Sequence, residues 1–149
     1  MKDETKLVAV YGSLRKGFGN HYLLKDSKYL GEYDTEPIYD MYSISSFPGL
    51  VTGGNTSIKM EVYEVSKEVL RRLNGLEGFI ADHHVNNLYN RISIPTPYGD
   101  AYTYIYNCSV VTKVKVESGD WKTFRENLNK EIKLLHSEDR LFEARHNID

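Results

Sequence analysis

Two short stretches of this sequence carry residues spaced for chemistry. The first is VAVYGSLRKGFGNHYLL, Val8 to Leu24, where an apolar run climbs to Tyr11, breaks at Gly12 and then passes Gly17 and Gly19. A strand entering a glycine loop is the outline of a phosphate cradle, but the spacing rejects a nucleotide. A Walker-type loop needs G-x-x-x-x-G-K-[ST], and Phe18 and Gly19 stand where the lysine and the hydroxyl belong. A dinucleotide fingerprint needs G-x-G-x-x-G, and the run from Gly17 ends in Tyr22. What remains is the turn Tyr11-Gly12-Ser13-Leu14. Backbone N–H groups converging there would stabilise an anion or a developing oxyanion without a cationic side chain. The alternative is a strand-ending turn that uses glycine only for its backbone angles.

The second stretch is LNGLEGF, in which Glu77 is enclosed by Leu73, Leu76 and Phe79 and flanked by Gly75 and Gly78. Apolar surroundings disfavour the charged form of a carboxyl, so its pKa should rise from an ordinary ~4.3 toward the range of a general base. A surface glutamate at a helix end is the plainer reading. Other reactive types are less well arranged. His83 and His84 are adjacent and would point opposite ways in a strand, and no His or Cys spacing completes a metal set. Cys108, within YIYNCSVV, reads as a core thiol rather than a nucleophile. No G-x-S-x-G elbow surrounds Ser13.

The elements that must position these residues can be read in outline. Lys6 to Tyr11 is a strand with apolar residues on both faces, and Asn20 to Lys28 is a short helix or turn. Between Tyr29 and Val51 the signal is weak. Ile58, Met60 and Val62 alternate as a strand, and Ser66 is an N-cap for a helix carrying Val69, Leu73 and Leu76 on one face. RISIPTPYGDAYTYIYN is a hairpin, Arg91 to Thr96 and Ala101 to Asn107. Trp121, Phe124, Leu128, Ile132 and Leu135 recur at helical spacing. The pattern is a strand-rich α+β domain.

At 149 residues the chain is expected to be one domain, 1–149, with 125–149 as a C-terminal helical extension. A net charge of −2 and no long Lys/Arg run leave no footprint for nucleic acid, so the 12 tyrosines read as strand residues rather than base-stacking platforms. No apolar run approaches the ~20 residues of a membrane span, and the charged start Met1 to Lys6 lacks a signal-peptide core. The expectation is a cytoplasmic protein with no membrane partner.

Taken in order, VYGSLRKG, LNGLEGF, YNR followed by a strand, AYTYIYN and SGDW resemble the gamma-glutamylcyclotransferase-like family over roughly 7–124. The resemblance implies a small mixed β-barrel with surrounding helices. It implies Glu77 as catalytic acid/base, substrate contacts from Tyr11, Gly12, Ser13 and Leu14, and Tyr104 in a strand lining the cavity. Arg91 matches the family's Tyr-x-Arg and reads as a structural partner or a ligand. The implied partner is a small gamma-glutamyl substrate whose α-amine attacks its own γ-carbonyl, releasing 5-oxoproline and a free amine. Such a substrate supplies its own nucleophile, so no cofactor and no metal are implied. A non-catalytic binder or sequestering protein for a small polar metabolite is the alternative. Two stretches depart from the family pattern: IADHHVNNLYN, which borders the expected cavity, and the tail after Phe124.

Overall fold

The structure is a computed structural model; it describes residues 4–146, with 138–146 as backbone alone. Eight strands and two α-helices follow in the order β1 (Thr5–Val10), β2 (Lys28–Asp34), β3 (Tyr39–Ser43), β4 (Pro48–Thr52), β5 (Lys59–Ser66), α1 (Lys67–Leu76), β6 (Tyr89–Thr96), β7 (Gly99–Tyr106), β8 (Val114–Lys115) and α2 (Trp121–His146). A single 3₁₀ turn, His21–Leu24, lies between β1 and β2.

The strands form two sheets: a five-stranded one in the order β2-β5-β1-β7-β6 and a three-stranded one in the order β4-β3-β8. Neither closes on itself. The mixed β-barrel implied by the resemblance is therefore corrected to an α+β fold of two open sheets. The edge strands show why a ladder stops there. β6 carries Pro95, which has no N–H to donate and suits an edge. β2 is bulged between Tyr29 and Gly31 and bears Lys28, Glu32 and Asp34, all features that oppose further pairing. Side-chain packing spans the gap instead: the Tyr98 hydroxyl, from the β6–β7 turn, sits where a side chain at Gly31 would have to go.

β1 is the centre of the larger sheet, antiparallel to β5 and parallel to β7. Alternate residues serve two cores, as a strand buried on both faces must. Val8 and Val10 pack with Tyr63, Leu73 and Tyr104, while Ala9 and Tyr11 pack with Met60, Leu50 and Trp121. α1 begins at the expected N-cap, where Ser66 Oγ accepts from the Val69 N–H at 3.2 Å. The helix lays Leu73 against the first of these cores.

Three strands fall in the region of weak signal. β2 is largely solvent-facing, and β3 and β4 are only five residues each. The hairpin tip tightens by two residues relative to expectation, since Thr96 pairs with Gly99 and β7 begins there rather than at Ala101. Cys108 lies just beyond β7 and is exposed, so the core-thiol expectation is also corrected. The apolar stretch around it ends with β7, and the thiol has left the sheet before it can be covered.

Candidate active site

LNGLEGF is the end of α1, and its glycine decides where Glu77 goes. Gly78 adopts φ +63, the left-handed region that favours glycine. This lets Phe79 N–H reach the Asn74 carbonyl at 2.9 Å and Gly78 N–H reach the Gly75 carbonyl at 3.2 Å. The two bonds are the Schellman closure of a helix. Glu77 becomes the last residue before the chain turns away. Gly78 is also required by space, because a Cβ there would lie 2.9 Å from Leu88 Cβ.

β1 ends at the second stretch. Arg15 N–H donates to the Gly12 carbonyl at 3.0 Å, so Tyr11 to Leu14 turns sharply out of the sheet. Asn20 clamps that turn from two directions: its N–H donates to the Ser13 carbonyl at 3.1 Å and its Nδ2 to Ser13 Oγ at 2.9 Å. His21 Nδ1 donates to the Leu14 carbonyl at 2.9 Å, the only role a carbonyl partner permits. Among the described residues, none accepts from the N–H groups of Gly12, Ser13 or Leu14.

These two pieces face one cavity of about 230 Å³. All six residues singled out in the sequence line it: Glu77, Tyr11, Gly12, Ser13, Leu14 and Tyr104. Sequence reasoning missed the rest of the wall. Asn20, Tyr89, Leu88 and the β3–β4 turn Ser46-Phe47-Pro48 complete it. The signals are faint: SSFPG reads as any turn, and Tyr89 stands in the YNR stretch ahead of a strand. Gly12 owes its identity to this second wall, since a Cβ would come within 2.7 Å of Pro48 Cγ and Cδ.

Glu77 keeps some exposure because it looks into the cavity, while protein crowds it elsewhere. Burial pushes its pKa from 4.5 up to about 7. Tyr11, Tyr89 and Tyr104 are raised too, chiefly by burial, with the Glu77 charge adding to each. The site thus holds one carboxyl poised between its two forms and three phenols that stay neutral. Arg91 lies outside the cavity wall. Its guanidinium stacks on Tyr102 and Phe79, 4.2 and 4.8 Å from the ring centres. Among the described residues no group of three His, Cys, Asp or Glu could hold a metal ion. No helix among them is long and apolar enough to cross a membrane.

Comparison with known proteins shows the family. The family model described as gamma-glutamyl cyclotransferase, AIG2-like, matches residues 8–123. The chain belongs to that family, a class of cyclotransferase-type enzymes. The gamma-glutamylcyclotransferase family protein YtfP of Escherichia coli K12 is 35% identical over 114 residues, covering 76% of this chain and 94% of the relative. Its solution structure superposes with a TM-score of 0.62 over 77% of this chain and 95% of its own. The crystal structure of PH0828 from Pyrococcus horikoshii is 33% identical, with a TM-score of 0.70 over 84% of this chain and 97% of its own.

Proposed function

We propose that the cavity binds a gamma-glutamyl amine and releases 5-oxoproline from it, with Glu77 carrying the protons. The observation behind this reading is that Glu77 and the Tyr11–Leu14 turn line the same small cavity. The reaction is a ring closure. The α-ammonium gives one proton to the Glu77 carboxylate, and the resulting amine attacks the γ-carbonyl carbon. The carbonyl electron pair moves onto oxygen and returns as the C–N bond to the leaving group breaks. Glu77 passes its proton to the departing nitrogen. The second proton lost from the attacking nitrogen ends on the amine product as it becomes an ammonium ion.

Two parts of the barrier fall to the protein. A tethered nucleophile held in attack geometry gains on the order of 7–11 kcal/mol over a bimolecular reaction. The tether supplies part of this, and the cavity supplies the rest by fixing the rotamer. Positioned acid/base catalysis contributes about 10²–10⁴-fold.

The test is incubation with a panel of gamma-glutamyl amines (amino acids, isopeptide lysine, polyamines) followed by mass spectrometry. Repeated turnover to 5-oxoproline and free amine is the expected result. Saturation at one ligand per site with no product would instead support a sequestering protein. A second expectation concerns Gly12. Gly12→Val forces a branched side chain against Pro48, costing about 1–3 kcal/mol by overpacking, and it narrows the cavity. Calorimetry should find 5-oxoproline bound more weakly by this variant, and unchanged affinity would remove the turn from the binding site.

A further inference from the structure

The last helix is seated at one end only. Trp121 is fully buried, Phe124 packs against the same core and Leu128 is half-buried, but from Asn129 to Ser137 every residue is exposed. α2 runs on to His146, so 129–146 continue it for about 27 Å along its axis.

Most of a helix's stability in a protein comes from packing one apolar face on a neighbour. The later part of α2 has such a face and no neighbour among the described residues. Ile132 and Leu135 are 42% and 58% exposed. They extend the line of Trp121 and Leu128 at successive spacings of seven, four and three, and the sequence carries the line to Phe142, seven residues further. Such spacing is the narrow seam of a coiled coil, two positions in each heptad, rather than the broad face of a helix lying on a globular core.

Charge indicates what the seam fits. Four bases stand against two acids across 121–137, and four acids stand against two bases across 138–149. This order runs against the helix dipole, which favours acids near the N-terminus and bases near the C-terminus. Beyond the Asp120 cap, the first turn holds no acid. A second helix laid antiparallel removes the mismatch. Its acidic half lies beside the basic half of the first, and the reverse holds at the other end. The chain's own helix carries this pattern, so two copies are complementary about a two-fold axis. Parallel pairing would set like halves together and crowd both bodies at one end.

We propose that the later part of α2 pairs antiparallel with the same helix of a second copy of this chain, making a two-fold dimer through Ile132 and Leu135. The inference is independent of the cyclisation reading, since no described residue of α2 lines the cavity.

Sedimentation velocity on the full chain reads the assembly, with reductant present to keep the exposed Cys108 from linking copies. The parent should be a dimer at about 100 μM chain and dissociate toward monomer near ~1 μM, as a small two-helix contact requires. Ile132→Glu/Leu135→Glu should be monomeric throughout. Its urea midpoint at the lower concentration, read through Trp121, should match the parent's, because both positions are exposed in the single chain. Lys130→Glu/Lys133→Glu sets acid against acid and should weaken pairing at least about tenfold. Adding Glu138→Lys/Glu143→Lys to that variant reverses both halves and should restore the dimer. A parent that is monomeric at about 100 μM overturns the proposal and leaves the seam to a different protein. A dimer that survives Ile132→Glu/Leu135→Glu lies on another surface and overturns it too. If inverting the basic half changes nothing, the antiparallel assignment falls.

Discussion

Glu77→Gln should lower turnover of a gamma-glutamyl amine by about 10²–10⁴-fold while the protein stays folded and still binds its ligand. Glutamine keeps the shape and the hydrogen-bonding capacity of the side chain and loses only the ability to carry a proton. The pH profile ties the loss to this residue. A base must be ionised in the free enzyme, and burial holds Glu77 near 7. The parent's kcat/KM should therefore rise with pH through about 7, a limb that the variant's residual activity lacks.

The same residue gives a stability signature of opposite sense. Its pKa is higher in the folded chain than the 4.5 it would have unfolded, so the folded state holds the proton more tightly. The resulting stability is fully present below about 4.5 and is lost as pH rises through about 7. At pH 8 the parent thus carries a buried charge that glutamine does not. At about 1.4 kcal/mol for each pKa unit, the variant should be more stable there by on the order of 1–3 kcal/mol, less whatever water entering the cavity returns. At pH 4 the two should melt together. A variant that is slower yet more stable at high pH is the mark of a strained functional group rather than a structural one. Equal turnover in parent and variant would take Glu77 out of the mechanism.

Glu77 was legible because its motif encodes both its backbone and its surroundings. Gly78 sets the helix end, and Leu73 and Phe79 on either side of Glu77 in the chain pack into one core. The YGSL turn was legible for a similar reason, as a strand broken by a glycine. The closing wall was not, because Ser46, Phe47 and Pro48 belong to a turn whose place is set by pairing between β3 and β4, not by its own residues. The barrel failed at the level where sequence is weakest. Alternation shows which residues face inward, but whether two edges meet depends on features such as Pro95 and the β2 bulge, which act only once the sheet has formed. The C-terminal helix was legible from its periodicity, yet that pattern outruns its packing. Trp121 is fully buried, whereas Leu134 and Leu135 are 61% and 58% exposed.

The YGSL turn is followed by a residue whose removal should have the largest effect on stability. Arg15→Ala is expected to cost about 3–5 kcal/mol, the range for leaving one partner of a buried ion pair uncompensated. Arg15 is 2% exposed, and its Nε meets Glu61 at 2.9 Å while Nη1 meets Asp120 at 2.8 Å. Glu61 is itself buried and also accepts from Lys16 N–H and the Tyr63 hydroxyl. Asp120 caps α2 by accepting from Lys122 N–H at 3.0 Å. One guanidinium therefore ties the end of β1 to β5 and to the start of the last helix. Lysine should rescue little, since its point charge cannot serve two carboxylates from fixed directions. Adding Glu61→Gln to Arg15→Ala should recover part of the loss, because the penalty lies in the orphaned charge more than in the missing attraction. Acid should show the same network. Burial would raise the Asp120 carboxyl, but its bonds to Arg15 and Thr123 outweigh that and hold it below the ordinary range. Its contribution is present at neutral pH and is lost as pH falls through that lowered pKa, so the parent should weaken in acid and Arg15→Ala should do so much less. Urea denaturation followed through Trp121 at pH 7 and pH 3 measures both effects, and a parent and Arg15→Ala variant with the same midpoint at pH 7 would show that this network adds nothing to the fold.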